Sequence, residues 1–267
     1  MEMAIPETHS TPPVDAAGPG SVSPSPGPAR FGWPATVALH LGPAAAAFAA
    51  ALALAPLLAR FDLPDNVPLT VAFLLVLTPI ELGLLLHAAG RAAGRGALRS
   101  LPLVLAFRRP LGRWWLAIPV LFAAALGLAA VWTPIGTALG GRLAGVYPDW
   151  LLPAHDPAAG HSKAVVVVTL LVSLLVDGLI NPTVEELYFR GYLLPRLPVS
   201  GWRAVPLSAA LFTVQHYWQP FNWVLIFVVW LVLTSVVVRS RSLRLGIVMH
   251  TLANCTGILL TLAAVVA

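Results

Sequence analysis

The chain has 267 residues, of which 58% belong to the AVILMFWYC set and only 10% are charged, against about 25% charged in a typical soluble domain. Mean hydropathy is +0.83, and 16 Lys and Arg stand against 11 Asp and Glu for a net charge of +5. So little charge cannot clothe a soluble globule, which excludes an ordinary cytosolic domain, a disordered chain and a nucleic-acid binder, and leaves a polytopic membrane protein.

Residues 1–30 are rich in Pro, Gly, Ser and Ala without apolar periodicity and are predicted to be a disordered tail. They lack the basic n-region and apolar h-region of a signal peptide. Seven apolar segments follow, at 34–58, 67–90, 114–140, 164–193, 204–218, 221–238 and 243–266. A crossing takes about 20 apolar residues, so the prediction is an all-α, polytopic transmembrane helix bundle of about seven to eight spans. Residues 31–163 supply N-terminal helices without a motif, and residues 164–267 hold the motifs below. Two segments are irregular. Asn181-Pro182 combines a good N-cap with a residue favoured in a first helical turn, predicting a break or elbow inside 164–193. Segment 204–218 covers about 22 Å at 1.5 Å per residue, short of a ~30 Å hydrocarbon core.

The basic residues are unevenly shared between alternate loops. Arg30, Arg91, Arg95, Arg99, Arg108, Arg109, Arg113, Arg190, Arg196, Arg203, Arg239, Arg241 and Arg244 fall on one side, and Arg60, Arg142 and Lys163 on the other. The positive-inside rule then places the N-terminus of this cell-membrane protein in the cytoplasm. Trp114-Trp115 and Tyr217-Trp218, at segment ends, are predicted interfacial anchors. Cys255 is the only cysteine, so neither an intrachain disulfide nor a Cys-based metal site is available.

Ionisable groups inside apolar segments are costly and each needs a reason. Glu185 and Glu186 adjoin in NPTVEELYFRGYLLPRL, and Arg190 lies at i+4 from Glu186, on the same helical face. Two acids beside one Arg form an unequal pair, in which one acid can act as base while the other is held by its partner. A structural ion pair explains the same residues equally well. Phe212 and His216 share a face in ALFTVQHYW, and His250 and Asn254 share one in RLGIVMHTLANCTG. Such pairs also serve as ordinary hydrogen-bonding contacts between membrane helices. Asp177, two turns before Glu185, could line the same cavity, with helix packing or Arg190 as a partner preferred, and His40 is assigned to structure. Glu81 and His87 are not tied to the site, and His155, His161 and Asp156 are read as a solvated loop.

Taken together, E-E-x-x-x-R (Glu185 to Arg190), F-x-x-x-H (Phe212 to His216) and H-x-x-x-N (His250 to Asn254), each on its own apolar helix, resemble the CPBP family of intramembrane endopeptidases. That family includes the type II CAAX prenyl proteases and the Abi-type and bacteriocin-processing relatives. The resemblance covers roughly 164–257, in a family that commonly has eight spans. It implies a protease acting on a membrane-associated peptide or protein, with the bilayer as its setting and no nucleic-acid partner. It also implies Glu185 as the base for a water that His216 holds, His250 and Asn254 as oxyanion donors, and Glu186 and Arg190 in support. Zn²⁺ on Glu185, His216 and His250 is one alternative, in keeping with a metalloprotease label. A metal-free, glutamate-dependent mechanism is slightly favoured, because H-E-x-x-H is absent. Two readings compete: a catalytically silent immunity or scaffold protein, and a proton-coupled transporter, which the lack of an inverted repeat disfavours.

Helix rise sets a further condition. From the cytoplasmic ends of their segments, His216 lies about 18 Å deep and His250 about 10 Å. They meet only if 204–218 starts beyond the bilayer surface or 181–197 folds back, and the expected product is a shared cavity facing the cytosol.

Overall fold

The computed structural model describes residues 28–93, 96–153 and 159–267. Most of the predicted tail, and with it Arg95, His155 and Asp156, lies outside the described residues. Among the described residues, eight helices carry the fold: α1 (Trp33–Phe61), α2 (Val67–Ala92), α3 (Ala97–Val104), α4 (Gly112–Gly141), α5 (Lys163–Arg196), α6 (Ala204–Val214), α7 (Pro220–Ser240) and α8 (Leu243–Val266). All except α3 and α6 are long and apolar enough to cross a bilayer. Among the described residues there is no β-strand, only two isolated bridges. The chain is a multi-pass membrane protein.

Hydrogen bonds between distant loops define two faces. On one face Phe31 N–H donates to Arg196 O (2.8 Å), an Arg196 Nη1–H to Val104 O (3.0 Å) and Arg109 N–H to Arg241 O (2.8 Å). This is the arginine face. On the opposite face the Tyr147 hydroxyl donates to Tyr217 O (2.8 Å) and Lys163 Nζ to Val266 O (2.7 Å), and His161 Nδ1 lies 3.4 Å from Asp62. The short α6 passes between the faces with a 3₁₀ turn before it and the 215–222 turn after it. Residues 30 and 266 therefore end on opposite faces, as seven passes require.

Small residues let the helices approach closely: Ala44, Ala47 and Ala51 of α1 are wholly buried on the side that meets α2. The predicted elbow at Asn181-Pro182 is overturned. Backbone angles stay helical through Ile180 and Asn181, because a wide π stretch, Leu174–Ile180, precedes the proline. Proline lacks an N–H and crowds the carbonyl four residues back, and a wider turn relieves that crowding. Asn181 N–H accordingly donates to Val176 O, five residues back. The same device recurs in α2, where the π stretch Phe73–Leu77 precedes Pro79. The two meet: the Thr78 hydroxyl donates to Asn181 Oδ1 at 3.1 Å.

Since α5 does not fold back, depth is equalised another way. The α7–α8 turn is sunk below the arginine face, with Ser240, Ser242 and Leu243 buried. The extended segment 105–109 lies over it, and Leu243 N–H donates to Phe107 O at 2.7 Å. Arg241 closes α7 in the left-handed conformation (φ 53°), a position that usually takes glycine. Between the predicted segments 67–90 and 114–140 the chain forms the further helix α3, which packs on α2 and exposes Leu98 and Leu103.

Candidate active site

The α5 helix is the hub. Glu185 ends a five-residue α-helical stretch, and Glu186 opens a second π stretch, Glu186–Leu193. Adjacent helical residues point about 100° apart, and one imidazole bridges the gap. His250 Nδ1 lies 3.1 Å from Glu186 Oε1, and His250 Nε2 lies 3.6 Å from Glu185 Oε2. A carboxylate can only accept, so the Nδ1 proton belongs to the bond with Glu186.

Glu186 Oε1 also lies 3.1 Å from Arg190 Nη1, an ion pair whose angle falls outside hydrogen-bond directionality. The Arg190 guanidinium stacks on Phe212, 4.0 Å from the ring centroid, and lies 4.9 Å from that of Trp230. It is wholly buried, so its assignment to a basic loop is corrected: it belongs to the site. Phe212 thus acts as a platform for Arg190.

His216 sits just beyond α6 and is clamped on three sides. Its N–H donates to Thr213 O (3.1 Å), its Nδ1 lies 2.7 Å from Phe212 O, and its carbonyl accepts from Trp223 Nε1 (3.1 Å). A carbonyl only accepts, so Nδ1 carries the proton and Nε2 keeps its lone pair. Asn254 donates one amide hydrogen to Asp177 O (2.9 Å) and keeps a second.

Glu185, His216, His250 and Asn254 all line one cavity of about 420 Å³, with Asp177, Asn181 and Trp230 also in its wall. The four residues that the motifs singled out are brought together. The cavity's direction is a correction. Helices α7 and α8 leave a common turn on the arginine face and touch near Gly246 and Val237. At Trp230 and His250 their rings lie 4.4 Å apart, and beyond that Ile226 and Ile258 are both in the cavity wall. Glu185 and His250 therefore form the floor, and the cleft opens away from the arginine face, not toward it. Beneath the floor, Glu186, Arg190, Phe189 and Phe212 are fully buried. An apolar recess of about 110 Å³ between α4, α7 and α8 shares Trp230 but carries no reacting group.

The other polar residues of the apolar segments take these places. The Asp177 carboxylate accepts from the Thr70 hydroxyl (2.6 Å), so it packs α5 on α2 rather than pairing with Arg190. Glu81 is wholly buried within electrostatic reach of Glu185 and Arg190, although nothing in its spacing tied it to the site. His87 is exposed on α2. His40 is structural, its Nδ1 2.7 Å from Thr36 O and its ring against Phe189. Trp218 is buried 4.8 Å from the Phe73 ring, in the cavity wall rather than at a lipid interface.

Trp230 and Gly246 escaped the sequence reading altogether, since one looks like any lipid-facing aromatic and the other like any helical glycine. A Cβ on Gly246 would stand 2.5 Å from Glu186 Oε2 and 3.1 Å from Val237 Cγ2. Gly246→Ala is therefore expected to push Glu186 off His250 and lower kcat by about 10²-fold, the scale of a 1 Å misplacement. Turnover assays beside a thermal melt of the same preparation check that the fold survives.

Among the described residues, no three His, Cys, Asp or Glu side chains converge as metal ligands. Of the predicted zinc set of Glu185, His216 and His250, Glu185 Oε2 and His250 Nε2 approach to 3.6 Å, with Glu186 Oε1 3.1 Å from His250 Nδ1.

Comparison with known proteins bears on the same segment. Residues 167–256 match the family model described as Type II CAAX prenyl endopeptidase Rce1-like. No curated protein and no solved structure matches the chain. The matched stretch takes in α5 from Val167 onward, all of α6 and α7, and α8 as far as Thr256, and so contains every motif residue named above. Residues 167–256 are thus a type II CAAX prenyl endopeptidase-like domain of the CPBP family, carried in a multi-pass helix bundle.

Proposed function

We propose that the protein is an intramembrane endopeptidase in which Glu185 activates water for attack on a peptide carbonyl. One observation carries the reading: a carboxylate, two imidazoles and a carboxamide from α5, α8 and the end of α6 line a single cavity. Water sits between Glu185 and the lone pair of His216 Nε2. Glu185 takes its proton as the oxygen bonds to the carbonyl carbon. The resulting oxyanion is met by the free amide hydrogen of Asn254 and by His250 through Nε2. A ring donating at both nitrogens is an imidazolium, and the Glu186 carboxylate at Nδ1 balances its charge once Glu185 has taken the water proton. The tetrahedral adduct collapses, the C–N bond breaks, and the amine leaves with the proton held by Glu185. Arg190 and Glu186 orient His250 and stay outside the bond changes.

This reading assigns every proton transfer to a side chain and calls for no metal; its support is that no three His, Cys, Asp or Glu side chains gather as ligands among the described residues. Activity of the purified protein on a fluorogenic peptide panel is therefore expected to survive exhaustive chelation and to gain nothing from added Zn²⁺. Loss on chelation with recovery on Zn²⁺ would overturn the metal-free reading. The silent-scaffold alternative predicts no turnover on any peptide.

A further inference from the structure

The cleft has a floor and a mouth, and the two lie toward opposite faces of the bundle. The floor is Glu185 and His250, sealed beneath by Glu186, Arg190 and Phe212. Toward the mouth the wall is formed by Phe73, Asp177, Trp218, Gln219, Gly257 and Ile258. Gln219 belongs to the 215–222 turn, which Tyr147 ties to the 141–163 loop on the face opposite the arginines. Gly257 and Ile258 lie two turns beyond His250 in the direction of Val266, whose carbonyl is bound by Lys163 on that same face.

The charges of the two faces are unlike. Under the floor, Arg108, Arg109, Arg196, Arg203, Arg241 and Arg244 lie on the loops and helix ends of one face, and among the described residues that face carries no Asp or Glu. The mouth face has Arg60, Arg142 and Lys163 interspersed with Asp62, Asp65 and Asp149. Loops rich in Lys and Arg stay on the cytoplasmic side. The floor therefore faces the cytoplasm and the mouth faces away from it.

We infer that the cavity takes its peptide from the extracytoplasmic side, so that the substrate class is the outer segment of a secreted or membrane-anchored polypeptide rather than a cytosolic tail. The inference rests on the endopeptidase reading for its substrate but not for its geometry. The floor blocks a cytosolic approach, because a peptide from that side would have to displace Arg190 and the rings stacked on it.

Single cysteines in a Cys255→Ala background of the full chain test it, with a membrane-impermeant, positively charged methanethiosulfonate applied to intact bacterial spheroplasts. Gln219→Cys and, as a second mouth position, Ile258→Cys are expected to react before permeabilisation. Arg109→Cys, exposed on the arginine face, is expected to react only afterwards. The reverse pattern would overturn the inference whatever the enzyme does. A fluorogenic peptide supplied outside the same spheroplasts is the second arm. Outward labelling without cleavage by any preparation keeps the sidedness and defeats the endopeptidase reading. Cleavage confined to peptide added outside inverted membrane vesicles, which expose the cytoplasmic face, keeps the endopeptidase and defeats the sidedness.

Discussion

Glu185→Gln is expected to lower kcat by about 10²–10⁴-fold, the contribution of a positioned general base, while leaving the fold intact. The substitution is isosteric, and the carboxylate it removes is 2% exposed, bonded by the Asn181 side chain and 3.6 Å from His250 Nε2. KM should change little, because Glu185 meets the attacking water rather than the peptide. Glu186→Gln discriminates between neighbours. It weakens the hold on His250 Nδ1 and the pairing with Arg190, so it should lower both the melting temperature and kcat. Steady-state kinetics and thermal unfolding in the same detergent read both outcomes. Equal turnover by wild type and Glu185→Gln would remove the base from the mechanism.

The largest loss of stability is expected from Arg190. This side chain is fully buried, lies 3.1 Å from Glu186, and is within electrostatic reach of Glu185 and Glu81. Removing one partner of a buried pair strands the other, at a cost of about 3–5 kcal/mol. Arg190→Met should therefore melt far below wild type. Arg190→Met combined with Glu186→Gln should recover most of that loss, since the carboxylate paired directly with the guanidinium is neutralised with it, yet stay inactive because His250 has lost its anchor. Arg190→Lys keeps the charge but gives up the flat guanidinium stacked on Phe212 at 4.0 Å, and should fall between the two. If the double variant melts as low as the single one, the guanidinium serves packing and not charge.

The motif residues and the helix segments were legible because both follow local rules. An apolar run long enough to cross a bilayer reads directly as a helix, and i, i+4 pairs inside one declare a shared face. What the sequence concealed depends on how helices meet. Asn181-Pro182 looks like a helix start, and only the π stretch before it, which has no fixed sequence signature, lets the helix continue. Arg190 is legible as the partner of Glu186, but its seat against Phe212 and Trp230 depends on rings from two other helices. Gly246 matters because Glu186 needs the space where its side chain would be. The direction of the cleft is set by the splay of α7 and α8 above their sunken turn, a tertiary fact that no single segment encodes.

Each π stretch in α5 holds one residue more than the α-helix it interrupts. Glu185 lies on a short island between two such surpluses, while Lys163 and Arg196 fix the ends of the rod at opposite faces. The acid's bearing around the helix axis is thus decoupled from the rod's length: deleting one residue from the first surplus would swing the carboxylate about a quarter-turn relative to the upstream half while leaving a rod that still reaches both faces. Membrane fit and catalytic aim are in this way separate adjustments within a single helix.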